Sequence, residues 1–325
     1  AGSFRRSNLQ APEVTTTRSA RCSSPLTVSH SVSLPVPLSG LSGKYYQQHR
    51  PIRGQTVPVG HSVRFGYLET AEAMLLRGET DEKLLQTMQK AWERMVTRRM
   101  DVTGGLGALP DSEGFGRDYE LDPEVAYNET CAAIASLYWN WQLALLTSDA
   151  RYSDLFEWQL HNAVSVGVGL EGKSYLYNNP TLCRAGIQRQ PWYSIPCCPS
   201  NIARTFADLG KYVFTRDGQN LYIHQFIGCR ANWPVEDGLQ VEVESGLPLD
   251  GRVVIKVKAE RGQTLTLWLR KPSWAGSFSV QVNGKFIDIV LPSTEEFEPT
   301  ATGYDPRRAV FLPISLEGGS SYQVE

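Results

Sequence analysis

Cys197 and Cys198 stand side by side in "WYSIPCCPSNIARTFADL", just before Pro199 and a helical pattern. Adjacent cysteines do not readily bridge to each other, so two neighbouring thiols ask for another role. "YNETC" adds Glu129 and Cys131, two residues apart near the start of a second helical pattern. That spacing does not place both on one helical face. At a first-turn or irregular position, however, both side chains can converge on one ion. One carboxylate and three thiolates make a donor set that suits zinc, which accepts tetrahedral O and S ligation, and that disfavours calcium or magnesium. The bland alternative is that the cysteines pack as small core residues and that Glu129 is a first-turn carboxylate favoured by the helix dipole.

Three further polar positions carry a choice. Glu113 lies in the turn "PDSEGFG", where a glutamate is ordinarily solvated. In an enclosed pocket its pKa would rise and it could pass a proton to a leaving group. His61 opens a helix after Gly60 and reads either as a cap or packing residue or as a hydrogen-bonding partner for a hydroxyl-rich ligand. Tyr175 and Tyr177 flank Leu176 in "SYLYNNP", so one hydroxyl can face a pocket while the other ring packs. The remaining cysteines, Cys22, Cys183 and Cys229, are widely separated and read as buried free thiols. Six cysteines in 325 residues do not make a disulfide framework.

The elements that must hold these groups fall into three stretches. Residues 1–45 are rich in Ser, Pro and Thr and read as an irregular or β arm. Residues 46–216 carry helical periodicity. There Val63, Tyr67, Ala71 and Met74 recur at three-to-four spacing, as do Leu84, Leu85, Met88, Trp92, Met95 and Val96. Ile134, Leu137, Tyr138, Trp141 and Leu145 repeat the pattern, and Ile202, Phe206, Leu209 and Val213 follow Pro199. The glycine-rich link between the second and third helices is long for a connection without regular structure, and links of that kind often line sites. From residue 217 the period becomes two in "NLYIHQF", "LQVEVES", "RVVIKVKA", "TLTLWLR" and "SFSVQVNGKFIDIVL", where Asn283-Gly284 is a hairpin signal. The expected fold is α+β: a helical domain followed by an antiparallel β-sandwich over 217–325.

Composition excludes some partners. With 41% hydrophobic residues, 20% charged residues and a net charge of −2 from 32 basic and 34 acidic side chains, nothing resembles a phosphate-binding footprint, so nucleic acid is not expected. No segment approaches the ~20 apolar residues of a membrane span. The N-terminal stretch lacks the apolar core of a secretory signal, and a cytoplasmic protein is the expectation.

Several pieces then match a known family together. "YYQQHRPIRGQTVPVGHSVRFGYL", "GGLGALPDSEGFG", "YNETCAAIASLYWNWQL", "YLYNNP" and "WYSIPCCPSNIARTFADLGKYVF" occur in the order and spacing of the β-L-arabinofuranosidase family of glycoside hydrolases, and the chain resembles it over residues 43 to 290. The resemblance implies zinc held by Glu129, Cys131, Cys197 and Cys198. It implies Cys197 as nucleophile, Glu113 as general acid/base, His61 and Tyr177 in contact with the arabinose ring, and Arg64 in support. It also implies a retaining reaction on a β-L-arabinofuranoside, through a glycosyl-cysteine.

Family members are about twice as long and build an (α/α)6 barrel, of which only part is visible in this sequence. A partial toroid leaves Met74, Met88, Trp92, Trp139, Trp141 and Trp158 in need of cover, so a homodimer or larger assembly is expected. Two other readings stand beside the enzyme: a truncated homologue that binds carbohydrate or a partner around a structural zinc, and a glycosidase for another sugar.

Overall fold

The computed structural model describes residues 43–184, 186–233, 238–259, 264–291, 297–317 and 321–325. The arm expected over residues 1–45 lies outside them, apart from a turn that begins at residue 43. Five α-helices are present among the described residues: α1 (Ser62–Gly78), α2 (Glu82–Arg98), α3 (Thr130–Thr147), α4 (Ala150–Gln159) and α5 (Cys197–Ala207). None is long and apolar enough to cross a membrane.

Helix α3 is the centre of this layer, and α1, α4 and α5 pack on it. The expected stripe of Ile134, Leu137, Trp141 and Leu145 is buried, but so are Ala132, Ala135, Trp139, Leu143 and Ala144 on the other sides. A helix that is apolar all round belongs inside. On α2 the expected face holds: Leu84, Met88, Trp92, Met95 and Val96 are all buried, and the Asp81 carboxylate accepts from Leu84 N at 2.9 Å to start the helix.

Helix α1 corrects the sequence reading. Its buried face runs through Ser62, Phe65, Gly66, Glu69, Glu72 and Ala73, whereas Ala71 is exposed and Met74 is 55% exposed. The cause is a close helix crossing: a Cβ on Gly66 would lie 2.7 Å from that of Ala135 on α3. Small residues at that contact outrank the apolar stripe. The two carboxylates carried inward are affected by burial, which raises Glu69 well above its usual range and Glu72 to about 7. Two other expectations also fail, since Phe206 on α5 and Cys183 are exposed.

The β portion is two sheets sharing one core. Strands β1 (Phe214–Asp217), β2 (Asn220–Ile223), β6 (Thr264–Lys271) and β9 (Val310–Glu317) form the first. The second follows the order β3 (Cys229–Asn232), β4 (Gln240–Ser245), β5 (Val253–Lys258), β10 (Ser321–Val324), β7 (Gln281–Val282), β8 (Lys285–Phe286). Alternate residues point inward, so Leu265, Leu267 and Leu269 meet Val241, Val243, Ile255 and Val257 between the sheets. Asn283 and Gly284 turn the β7–β8 hairpin with φ values of 49° and 75°, as a two-residue Asn-Gly turn requires. The sheets are antiparallel except for one pair. β2 runs parallel to β6 because the chain spends β3 to β5 in the other sheet before returning.

A buried charge cluster joins the two parts. Arg270 on β6, with no exposed surface, donates to Asp154 Oδ1 at 2.7 Å, to Glu157 Oε1 at 2.5 Å and to the His224 carbonyl at 2.8 Å. Tyr304 donates to Asp154 and stacks on Trp158 at 4.0 Å, so the C-terminal stretch folds back over α4. Of the six large side chains expected to need cover, Met88, Trp92, Trp139 and Trp141 are buried within this chain, Trp158 is half-buried and Met74 is exposed. Arg270→Met would strand two buried carboxylates and is expected to lower the unfolding free energy by about 3–5 kcal/mol in urea titrations. A loss below about 1 kcal/mol, the range of an exposed pair, would contradict this role.

Candidate active site and metal centre

Two helix N-termini meet at the cysteines. Glu129 is the N-cap residue of α3 and Cys131 lies in its first turn, while Cys197 and Cys198 open α5. The partial positive charge of both helix ends therefore faces the same group of anionic donors. The Cys131 and Cys198 sulfurs are 3.3 Å apart, those of Cys197 and Cys198 3.8 Å, and Glu129 Oε1 lies 3.5 Å from Cys197 Sγ and 3.6 Å from Cys198 Sγ.

Those distances test the fit of a metal ion. A tetrahedron with metal–sulfur arms of ~2.3 Å has edges of about 3.7 Å, close to what the four donor atoms already span. Glu129 makes no side-chain capping bond, and its Oε2 is buried without a hydrogen-bond partner. The carboxylate is thus not spent on the helix, and the donor set fits a thiophilic dication. The protonation pattern agrees. Hydrogen bonds from the thiols of Cys131 and Cys198 pull Cys197 far below the usual thiol range. The same contacts push Cys131 and Cys198 up, and burial with the nearby Cys197 thiolate raises Glu129 to about 8.

The loop that precedes α3 is pinned to the "YLYNN" segment. Thr130 N donates to Tyr177 O at 3.0 Å, and Asn179 Nδ2 donates to Asn128 O and to Thr130 Oγ1, each at 2.9 Å. Asn128, with φ of 40°, is held by Asp101 at 2.9 Å. These bonds carry Tyr177 to the cluster, where its hydroxyl is directed at Cys197. Tyr175 is half-buried: its ring packs on Trp192 and against the core, and its hydroxyl donates to Gly172 O at 3.3 Å. Of the two tyrosines, Tyr177 is the one that faces the pocket.

His61 and Glu113 meet beside the cluster. Residues 60–61 run against 114–115 so closely that a Cβ on Gly114 would lie 2.5 Å from the Gly60 carbonyl oxygen. The turn sets Glu113 in the left-handed region with φ of 48°, a conformation costing about 1 kcal/mol for a non-glycine residue. Its carboxylate then lies 3.1 Å from His61 Nε2. His61 is also the N-cap of α1, its Nδ1 accepting from Val63 N at 3.2 Å. The cap reading holds, and it fixes the proton: with Nδ1 used as an acceptor, the ring proton sits on Nε2 and points at Glu113. Burial lowers the His61 pKa, which favours that neutral tautomer. The carboxylates of Glu113 and Glu129 and the His61 ring all lie within 4.8 Å of one another. Arg64 is exposed and lies over the rings of Tyr45 and Tyr46 at 5.7 and 5.3 Å, at the rim and outside the cluster.

Two residues escaped the sequence reading. Tyr127 has a buried hydroxyl without a hydrogen-bond partner, facing Tyr177 and Glu113. Asn201 donates from Nδ2 to Cys131 Sγ at 3.0 Å. The signal for Asn201 was its position three and four residues after the paired cysteines, on the same face of α5. Tyr127 offered none beyond its closeness in sequence to Glu129.

The family model for the β-L-arabinofuranosidase GH127 catalytic domain matches residues 7–211, and the GH127 middle-domain model matches residues 220–298. The chain belongs to the GH127 β-L-arabinofuranosidase family. The first match begins well ahead of residue 43, where the recognisable motifs start. A non-reducing end β-L-arabinofuranosidase of Bifidobacterium longum subsp. longum is 37% identical over 258 residues, which is 74% of this chain and 39% of that protein. A solved GH127 β-L-arabinofuranosidase from Geobacillus stearothermophilus T6 superposes with a TM-score of 0.76 at 32% identity, over 86% of this chain and 44% of the other. A solved GH127 β-arabinofuranosidase gives a TM-score of 0.75 at 30% identity, over 87% and 45%. The chain therefore spans less than half the length of each of these relatives.

The burial pattern predicts the order of thiol labelling. Cys183 is exposed, Cys197 half-buried, and Cys131 and Cys198 buried. Peptide mapping after brief alkylation of the native, metal-stripped protein should find label on Cys183 and Cys197, with Cys131 and Cys198 labelled only on unfolding. Labelling of Cys198 as fast as Cys183 would contradict the packed cluster.

Proposed function

We propose that this chain carries the catalytic part of a zinc-dependent retaining glycoside hydrolase that releases L-arabinose from β-L-arabinofuranosides. The observation that carries the reading is the convergence of Glu129, Cys131, Cys197 and Cys198, with the His61–Glu113 pair against them, in a member of this family. Residues 46–216 would be the catalytic helices, part of an (α/α)6 barrel, and residues 217–325 the accompanying sandwich.

Bound zinc would keep the thiols deprotonated at neutral pH and hold them in a fixed arrangement. The chain's own groups then divide the reaction. Cys197 is the half-buried thiol, at the open side of the cluster, and its sulfur attacks the anomeric carbon. Glu113 gives its proton to the departing glycosidic oxygen. The sulfur–carbon bond so formed is broken by water, whose proton returns to Glu113, and two displacements at one carbon retain the configuration. Both Glu113 and Cys197 have a donor atom within 4.8 Å of one on Glu129. His61 aligns the Glu113 carboxylate through Nε2–H. Tyr177 offers a hydrogen bond to the sugar hydroxyls, the His61 ring lies against the sugar while it holds Glu113, and Arg64 supports them from the rim.

An assay on synthetic arabinofuranosides tests the roles. Cys197→Ser should abolish turnover, because an alcohol is a far weaker nucleophile at neutral pH. Glu113→Gln should slow substrates with poor leaving groups by about 10²–10⁴ and spare those whose leaving group needs no proton. Equal losses on both substrate kinds, or an inverted product by NMR, would contradict the assignment.

A further inference from the structure

Asn201 reaches the cluster from α5, and its amide is held at both ends. Its Oδ1 accepts from Arg204 Nε at 2.7 Å and from the Tyr67 hydroxyl at 3.1 Å. Arg204 donates in turn to the Tyr67 hydroxyl at 2.8 Å and lies 4.9 Å over the ring of Tyr138. With two donors on the oxygen, the amide has one orientation, and Nδ2–H must face Cys131 Sγ, 3.0 Å away. Of the three cluster sulfurs, Cys131 is the one that takes this amide bond.

We propose that Asn201 is a positioning residue that retains the metal by donating to the Cys131 thiolate, oriented by Tyr67 and Arg204. The inference rests on the zinc reading above. Three thiolates and a carboxylate around a dication leave a net negative charge, and a hydrogen bond to a ligating sulfur draws part of it away. Asn201 does so at Cys131, which makes this sulfur a holding ligand. Among the described residues no side-chain amide donates to Cys197, which keeps its electron density for attack. The charge drawn from Cys131 passes toward Arg204, whose guanidinium stands behind the amide at the solvent edge of α5.

The test is Asn201→Asp, which keeps the size of the side chain and its bonds to Tyr67 and Arg204 but replaces the donor by an acceptor. If Asn201 were merely structural, this variant would bind metal as the wild type does. The expected result is zinc affinity lower by about ten- to a hundredfold in competition with a chromophoric chelator. In the cobalt-substituted protein the sulfur-to-metal charge-transfer band should move to lower energy, because a more electron-rich thiolate gives up its electron more easily. Tyr67→Phe, which leaves the amide in place with one anchor fewer, should shift affinity and band in the same direction by less, and it carries the test if the aspartate variant does not fold. Affinity within about twofold of wild type and an unmoved band in the folded variants would overturn the role of Asn201 while leaving the zinc reading intact. A wild-type protein that takes up neither zinc nor cobalt would overturn both.

Discussion

Four groups that each prefer a negative charge at a metal are packed here within 4.8 Å of one another, and the rest of the site follows from keeping them there. Repulsion among three thiolates and a carboxylate at such distances forbids their joint ionisation without compensation. The fold provides part of it by aiming the N-termini of α3 and α5 at the same point. Without a cation the remainder is met by protons, which is why Cys131, Cys198 and Glu129 rise while Cys197 falls. In the proposed enzyme the dication takes the place of those protons.

That constraint explains the architecture around it. α3 must be enclosed because it delivers Glu129 and Cys131 from the middle of the helical layer, and its apolar circumference gives it neighbours on every side. The sandwich is tied to the layer through Arg270, whose buried carboxylate partners lie on α4, next in sequence to α3. A buried ion cluster adds little net stability over an apolar one, but it admits one orientation of the two parts. The strained Glu113 turn belongs to the same economy of placement: its left-handed backbone puts the carboxylate against His61 and beside Glu129.

Part of the site was legible from residue types. "NETC" and the paired cysteines left both a common ion and ordinary core packing open on residue types alone, and zinc with these four ligands came only with the family resemblance. Tyr177 is separated from Tyr175 only by the bonds of Thr130 and Asn179, since residues two apart share a face under alternation and the sequence does not tell them apart. The α2 face was readable because its apolar residues are large and regularly spaced. The α1 face was not, because the deciding contact is between Gly66 and Ala135, distant in sequence and marked by the smallness of both residues. The parallel β2–β6 pair was hidden for a similar reason, as period-two alternation reports burial and not the direction of a neighbour. Asn201 shares a face of α5 with the paired cysteines, but its role is not legible in the sequence because it depends on Tyr67, 134 residues away.

The account stands most directly on the metal. Protein purified without chelator and kept reduced should contain close to one zinc per chain by elemental analysis, and X-ray absorption at the zinc edge should show three sulfurs at about 2.3 Å and one oxygen at about 2.0–2.2 Å. Less than about half an equivalent of any transition metal, or a shell dominated by nitrogen, would contradict the assignment of Glu129, Cys131, Cys197 and Cys198 as its ligands.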